Sequence, residues 1–172
     1  KGKTIFVGDT SVNEYPTSEQ LSEIAISSAR VVRLFGFDPK VAFVSHSTFG
    51  QPRTSRTKHI REAVEILKKK QANFEFDGDM QPDVALNKEY KSLYPFSKIV
   101  GNANILIMPG QHSAAISYKM MKTLGDTKVI GPLLIGLGLP IEIAPLRSST
   151  SEIINLASIA AYSADVIDYN KN

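Results

Sequence analysis

The sequence has 172 residues, of which 42% are hydrophobic, and it carries 20 lysines and arginines against 17 aspartates and glutamates. This length suffices for one compact domain, and the longest apolar stretch, at 129–146, is too interrupted by glycine and proline to cross a membrane. With no cysteine and a net charge of only +3, a disulfide scaffold, a thiolate metal site and a nucleic-acid-binding surface are disfavoured, and a cytoplasmic protein is expected.

The first predicted elements are a strand, a helix and a second strand. Residues 4–7 form a short apolar run typical of a strand, and Thr17 with Gln20 matches a capping box at the start of a helix. Apolar residues then recur every three or four positions until Gly36, which predicts an amphipathic helix that ends there. The run 41–44 is apolar throughout, as in a strand that is covered on both faces.

The rest of the chain continues this alternation. A second amphipathic helix is predicted from about Ile60 to Leu67, with lysines following in its last turn. The later predicted elements are a strand at 74–76, a helix at 82–90, a strand at 105–108, a helix at 113–124 and a final helix at 150–166. The stretch 131–145 is rich in glycine and proline and is predicted as an interrupted strand and loop.

The alternation predicts an α/β fold with a mostly parallel sheet and helices on both faces. In such folds ligands bind beyond the carboxyl ends of the strands, which directs attention to the loops after Val44 and Met108. The final helix is apolar nearly all round. We therefore expect it to be buried, with another subunit as one candidate partner.

The loop at 45–57 has the composition of an anion site. It offers two hydroxyls, a glycine and two guanidinium groups, from Ser47, Thr48, Gly50, Arg53 and Arg56. Such groups can hold phosphate oxygens, and the arginines can do so bidentately. The alternative is that the hydroxyls cap turns and the arginines lie in solvent.

Other polar residues have simpler explanations than catalysis or metal binding. Asp77, Asp79 and Asp83 do not follow the spacing of a calcium loop, and a helix start at Pro82 favours a capping role for this acidic cluster. His46 could act as a general base only with an orienting carboxylate and a nucleophile close by. The sequence establishes neither, so a structural role is favoured for His46.

The head of the final helix carries a second capping signal. Ser149 and Glu152 match the S-x-x-E capping box. Arg147 then lies just before the positive end of a helix, and it is a further candidate for holding an anion.

Several segments resemble, in order, those of one protein family. The segment Asp77-Gly-Asp-Met-Gln-Pro-Asp83 is similar to the D-G-E-x-Q-x-D segment of phosphate acetyl- and butyryltransferases. The further matches are Ala103-Asn104 before an apolar strand, Ile116-Ser-Tyr-Lys119, and the series Gly131-Pro132, Gly136-Leu137 and Pro140-Ile141. The resemblance covers essentially the whole chain. Within the family, Asp9-Thr-x-Val-Asn13 followed by Pro16-Thr17 looks most like the domain at the C-terminus of bacterial hybrid NADP-dependent malic enzymes.

The resemblance implies an architecture and a set of partners. It implies the phosphotransacetylase (isocitrate dehydrogenase-like) fold, with residues 1–172 as the second half of an acetyltransferase-like domain and with the N-terminal half and the malic enzyme domain outside this chain. It also implies acetyl-CoA or a related thioester as ligand and a homo-oligomer, without nucleic acid or membrane partners. NADP and a divalent metal are expected only in the malic enzyme domain.

The departures from the family pattern concern the residues of catalysis. Active relatives carry a D-L-S-R-G segment where this chain reads Ile143-Ala-Pro-Leu-Arg147. Aligned from Pro140, Leu146 takes the arginine position and Glu152 the position of a later aspartate. The chain also has Gly110, His112, Ala115 and Ile135 where active relatives tend to carry acidic or amide residues.

We therefore expect a regulatory domain that senses acyl-CoA, supports oligomerisation of a malic enzyme and has no catalytic residues or metal ligands of its own. The predicted residues for binding the acyl-CoA or phosphate are Ser47, Thr48, Arg53, Arg56, Gly131 and Arg147. Two alternatives stay open. One is an active phosphate acetyltransferase that moves acetyl between CoA and phosphate, and the other is a purely structural dimerisation domain.

Overall fold

The computed structural model describes residues 3–125 and 127–169, with the side chains of Arg56 and of 165–169 excepted. The chain divides into two compact units, with the boundary after Ser117. Among the described residues, no helix combines the length and the apolar character needed to span a bilayer.

The first unit is built on a four-stranded parallel sheet, which confirms the predicted α/β fold. Its strands are β1 (Phe6–Gly8), β2 (Lys40–Val44), β3 (Glu75–Met80) and β4 (Ile105–Ile107). They lie in the order β1-β4-β2-β3, so β4 pairs with both β1 and β2. The helices between the strands are α1 (Ser18–Leu34), α2 (Lys58–Lys69), α3 (Pro82–Leu86) and α4 (Lys88–Lys91), and a 3-10 turn at Ser55–Thr57 precedes α2.

Local signals set the two ends of α1. The Thr17 hydroxyl accepts from the Gln20 amide and the Gln20 side chain accepts from the Thr17 amide, so the predicted capping box is confirmed. At the other end, the Gly36 amide donates to Arg33 and the Phe37 amide donates to Val32. Gly36 has a φ of +80°, the left-handed conformation that glycine adopts without a steric penalty.

Two apolar cores lie on the two faces of the sheet because side chains alternate along each strand. Val41 and Phe43 belong to the core that contains α1 and α2, whereas Ala42 and Val44 belong to the core on the opposite face. All four side chains are essentially buried. Strand β2 is therefore covered on both faces, as its uninterrupted apolar run predicts.

Two elements of this unit differ from the prediction. Strand β3 runs on to Met80, so the acidic segment after Phe76 belongs to a strand. The helix predicted at 82–90 is split into α3 and α4, because Asn87 is extended and its side chain caps α4 by accepting from the Glu89 amide.

The boundary between the units falls within α5 (Gln111–Leu124), and the second unit contains the end of α5 and all the described residues of α6 (Thr150–Tyr169). The strand predicted within 131–145 is wrong, since the described residues from 127 to 149 form no strand. Pro132, Pro140 and Pro145 lack the amide that a ladder needs, and Gly131 adopts a φ of +118°. Helix α6 leaves Ile153 (49%), Ile154 (59%) and Tyr162 (50%) exposed, so its predicted burial requires a further surface and stays a prediction.

Candidate functional site

The carboxyl ends of β2 and β3 form the edge where the candidate anion loop lies. The two strands are parallel neighbours, and the Ser45 amide donates to the Met80 carbonyl at 2.9 Å just beyond the pairing. The loop after β2 and the segment after β3 therefore meet at one edge of the sheet. This is where ligands bind in open parallel sheets.

Asp79 holds the turn of this loop. Its side chain is completely buried, and its carboxylate accepts from the Ser47 hydroxyl and, at 3.0 Å, from the Gly50 amide. The Asp79 carbonyl also accepts from the Phe49 amide at 2.6 Å. Three residues of this loop are thus hydrogen-bonded to one residue of β3. Because a buried carboxylate needs such partners, the loop and Asp79 stabilise each other.

The segment after Asp79 fastens the loop at a second place. The Thr48 hydroxyl accepts from the Gln81 amide at 3.2 Å, and the Gln81 side chain donates to the His46 carbonyl at 2.8 Å. Ser47 is fully buried and Thr48 is 6% exposed. Both hydroxyls therefore have protein partners in this structure, and their predicted contact with a ligand stays a prediction.

The arginines of this loop and of α2 have different surroundings. Arg53 is exposed, and Arg56 lies in the 3-10 turn with its side chain outside the described part. Arg61, one turn into α2, approaches the loop: its Nη1 donates to the Thr57 hydroxyl at 2.7 Å and lies 3.6 Å from the Asp79 carboxylate. A buried carboxylate thus has a cation at the surface as its ion-pair partner.

The acidic cluster does not cap a helix as predicted. Asp79 serves the loop, and Asp77 accepts from the Lys98 amide at 2.7 Å, which fixes the chain beside the outer strand β3. Only Asp83 lies in the first turn of α3, where a negative charge is favourable. Among the described residues, no three carboxylates or imidazoles are placed to hold a metal ion.

A second ordered loop follows β1. The Asp9 carboxylate accepts from the amides of Ser11 at 2.8 Å, Val12 at 3.0 Å and Asn13 at 2.8 Å, and also from the Asn13 side chain. Burial by itself raises the pKa of Asp9, but these hydrogen bonds outweigh it and leave the pKa below its usual value. The Asp9-to-Asn13 pattern therefore specifies a loop conformation.

Gly131 and Arg147, the other predicted site residues, lie in the second unit, where Arg147 is exposed. Just beyond Arg147, the predicted capping box is confirmed. The Glu152 amide donates to the Ser149 hydroxyl at 3.3 Å, and the Glu152 carboxylate accepts from the Ser149 amide at 2.8 Å and from Lys122 at 2.9 Å. The hydrogen bond from the Ser149 amide and the contact with Lys122 lower the pKa of Glu152 to about 2.

This pKa predicts a dependence of stability on pH. A carboxylate whose pKa is lowered on folding stabilises the fold above its unfolded pKa of 4.5, and this contribution is lost as the pH falls toward about 2. We expect Glu152→Gln to lower the thermal midpoint above pH 4.5, with a difference from the wild type that vanishes as the pH falls toward about 2. Thermal unfolding across this pH range measures it, and a constant difference would contradict the assigned role.

The Phosphate acetyl/butaryl transferase family matches residues 1–161 of the chain. The chain belongs to this family. Among solved structures, it is similar to the EutD phosphotransacetylase from Staphylococcus aureus, with a TM-score of 0.86 and 31% identity over 95% of this chain and 52% of that one. It is also similar to a phosphotransacetylase from Streptococcus pyogenes, with a TM-score of 0.87 and 35% identity over 92% of this chain and 49% of that one.

Two kinds of curated relative share this segment. The NADP-dependent malic enzyme of Rhizobium meliloti is 47% identical over 95% of this chain and 22% of its own length. The phosphate acetyltransferase of Bacillus subtilis is 34% identical over 91% of this chain and 49% of its own length. The chain thus spans about a fifth of this malic enzyme and about half of this acetyltransferase.

Asp79 and Arg61 contact the loop at 45–57, but neither is among the ligand-binding residues predicted from the sequence. Asp79 is predicted to cap a helix, whereas Arg61 is one of several basic residues between Arg53 and Lys70. A usable signal existed for Arg61, since Thr57 precedes it by one helical turn and residues four apart share a helix face. For Asp79 the local pattern contained no such signal, because its partners lie 29 and 32 residues away.

Proposed function

We propose that this chain is a regulatory domain of an NADP-dependent malic enzyme, in which it senses an acyl-CoA thioester and supports oligomerisation. We also propose that the domain itself does not catalyse acetyl transfer. The 47% identity to the malic enzyme of Rhizobium meliloti, against 34% to the acetyltransferase of Bacillus subtilis, supports the malic enzyme assignment. Family membership supports a CoA thioester as the ligand.

The proposed loss of catalysis is supported by the surroundings of Leu146 and Glu152. Leu146 stands in the resembling segment where active relatives have an arginine, and it is fully exposed and apolar. Glu152, at the aspartate position, is held by Ser149 and Lys122 in the cap of α6. Stabilising a phosphate in a transition state needs charged groups fixed in the productive geometry, and a residue displaced along the chain provides this poorly.

The loop at the end of β2 supports retained binding. Its conformation is built by buried contacts to Asp79 that do not depend on the substituted segment. Binding without turnover is therefore compatible with the changes at Leu146 and Glu152. The proposal places NADP and the divalent metal of malate oxidation in the malic enzyme part of the full-length protein.

Regulation requires that the ligand distinguish between two states of the assembly. An acyl-CoA that binds one quaternary arrangement more tightly shifts the equilibrium toward that arrangement, and malate turnover changes with it. The exposed apolar residues Ile153, Ile154 and Tyr162 of α6 support a contact with a second copy of the chain. A coupling of this kind typically changes ligand affinity by roughly 5- to 150-fold.

The deciding experiment uses the full-length protein. We expect acetyl-CoA to bind in calorimetry and to change both malate oxidation and the oligomeric state seen by sedimentation, without formation of acetyl phosphate from acetyl-CoA and phosphate. Formation of acetyl phosphate would instead establish an active transferase. Absence of acetyl-CoA binding would leave a structural dimerisation domain.

A further inference from the structure

Two guanidinium groups converge on Gly50. A methyl group built at Gly50 would lie 3.9 Å from Arg53 Nε and 4.0 Å from Arg61 Nη1. The two arginines come from different elements, since Arg53 belongs to the loop and Arg61 belongs to α2. The fold therefore places two permanent positive charges beside the same backbone position.

The charges at this position are only partly balanced. Asp79 is the carboxylate that faces Arg61, at 3.6 Å, and within the described residues Arg53 makes no ion pair. Glu62, the residue after Arg61, is engaged elsewhere, because it accepts from the Ser18 hydroxyl and lies 3.5 Å from Lys58. Two arginines with one buried carboxylate leave one positive charge without an acidic partner.

The arginines also keep free donors. Both described polar contacts of Arg61 use Nη1, which leaves its Nη2 and Nε available. A guanidinium carries five N–H donors in a planar fork that matches phosphate oxygens. The contacts of Nη1 with Thr57 and Asp79 restrain the Arg61 side chain, so less side-chain freedom is lost when an anion binds to its other nitrogens.

Gly50 is buried beneath the two groups. Its φ is +80°, which residues with a side chain adopt only at a cost, and it carries no Cβ. Its amide is fixed by the Asp79 carboxylate, so the backbone at this point is held in place. A small anion can approach both guanidinium groups from the solvent side, where Arg53 is exposed and the Arg61 side chain is 32% exposed.

We infer that Arg53 and Arg61 form a two-arginine site for a phosphate group, with Gly50 as the floor between them. This inference deepens the proposed function and rests on it for the ligand, which would be a phosphate of the CoA thioester. Free phosphate has the same chemistry, so the test separates the two sources. Arg61 is the new member of the site, and its position depends on Asp79.

The test measures binding to the full-length protein by calorimetry with acetyl-CoA, with acetyl-CoA lacking the 3′-phosphate, and with inorganic phosphate. The variants are Arg53→Gln and Arg61→Lys, which remove a fork but not the loop. Lys69→Gln is the control, since it removes one charge about 12 Å further along α2. Thermal unfolding establishes whether each variant is folded. If Arg61→Lys does not fold, the binding measurements on Arg53→Gln alone decide the test.

We expect each arginine variant to bind its phosphate ligand about 10- to 100-fold more weakly, as for loss of a bidentate charged contact, while Lys69→Gln changes affinity less than about threefold. If the variants bind the acetyl-CoA that lacks the 3′-phosphate as tightly as the wild type does, the site holds the 3′-phosphate. If they still bind that ligand more weakly than the wild type does, the site holds the diphosphate of CoA. Weakening seen with inorganic phosphate alone supports the site and rejects acyl-CoA sensing. Folded arginine variants that bind every probe as the wild type does would overturn the inference and leave the proposed function standing.

Discussion

Replacing Asp79 by alanine is expected to lower the free energy of unfolding of this domain by about 3 kcal/mol. The change removes the acceptor of the Ser47 hydroxyl and the Gly50 amide, and it takes away the carboxylate that faces Arg61. Buried donors without an acceptor each cost about 1–3 kcal/mol. The partial exposure of Arg61, 32% of its side chain, lets water hydrate that charge and limits the loss.

Calorimetric unfolding of the protein measures this effect, as a fall of roughly 10 °C in the midpoint of the domain's transition. Asp83→Ala is the matched control, because Asp83 is an exposed aspartate four residues further on and its carboxylate accepts from the adjacent Val84 amide. We expect the control to cost less than about 1 kcal/mol. A similar midpoint for both variants would show that Asp79 does not hold the loop.

Replacing Gly78 by alanine is expected to cost about 4 kcal/mol, for a different reason. A Cβ at Gly78 would lie 2.7 Å from the Phe43 Cβ and 2.8 Å from the Phe43 carbonyl oxygen, closer than such atoms approach in proteins. Phe43 is fully buried in β2 and is held by the core around α1 and α2, so it cannot move away cheaply. The φ of +155° at Gly78 adds backbone strain for any residue with a side chain.

Gly101→Ala separates steric crowding from backbone strain. Gly101 also has a positive φ, +75°, but a Cβ there would meet no atom within 4 Å. Its substitution should therefore cost only about 1 kcal/mol. Equal unfolding midpoints for the two glycine variants, measured in the same calorimetric experiment, would rule out the close approach of β2 and β3 as the cause.

The segment from Asp77 to Gln81 acts as one structural unit. Asp77 fixes the chain beside β3, Gly78 permits the approach of β2, Asp79 ties the turn and Gln81 holds the loop at His46 and Thr48. The described contacts of this segment are structural. The segment shapes the loop at 45–57 and places the Asp79 carboxylate 3.6 Å from Arg61 Nη1.

The sequence by itself determined the features that depend on short-range interactions. The capping boxes at Thr17 and Ser149 join residues three positions apart, and both formed as predicted. The apolar run of β2 and the alternation of strands and helices were sufficient for the α/β class and the parallel sheet. The family was also recognisable from segments that keep their order along the chain.

The tertiary structure decided the features that depend on which distant segments meet. The order β1-β4-β2-β3 places β2 beside β3, and only this pairing brings Asp79 under a loop about 30 residues earlier in the chain. The same pairing places the Asp79 carboxylate 3.6 Å from Nη1 of Arg61 on α2. Capping and periodicity are set by neighbours along the chain, whereas the partners of a buried carboxylate are set by strand order, which local pattern does not encode.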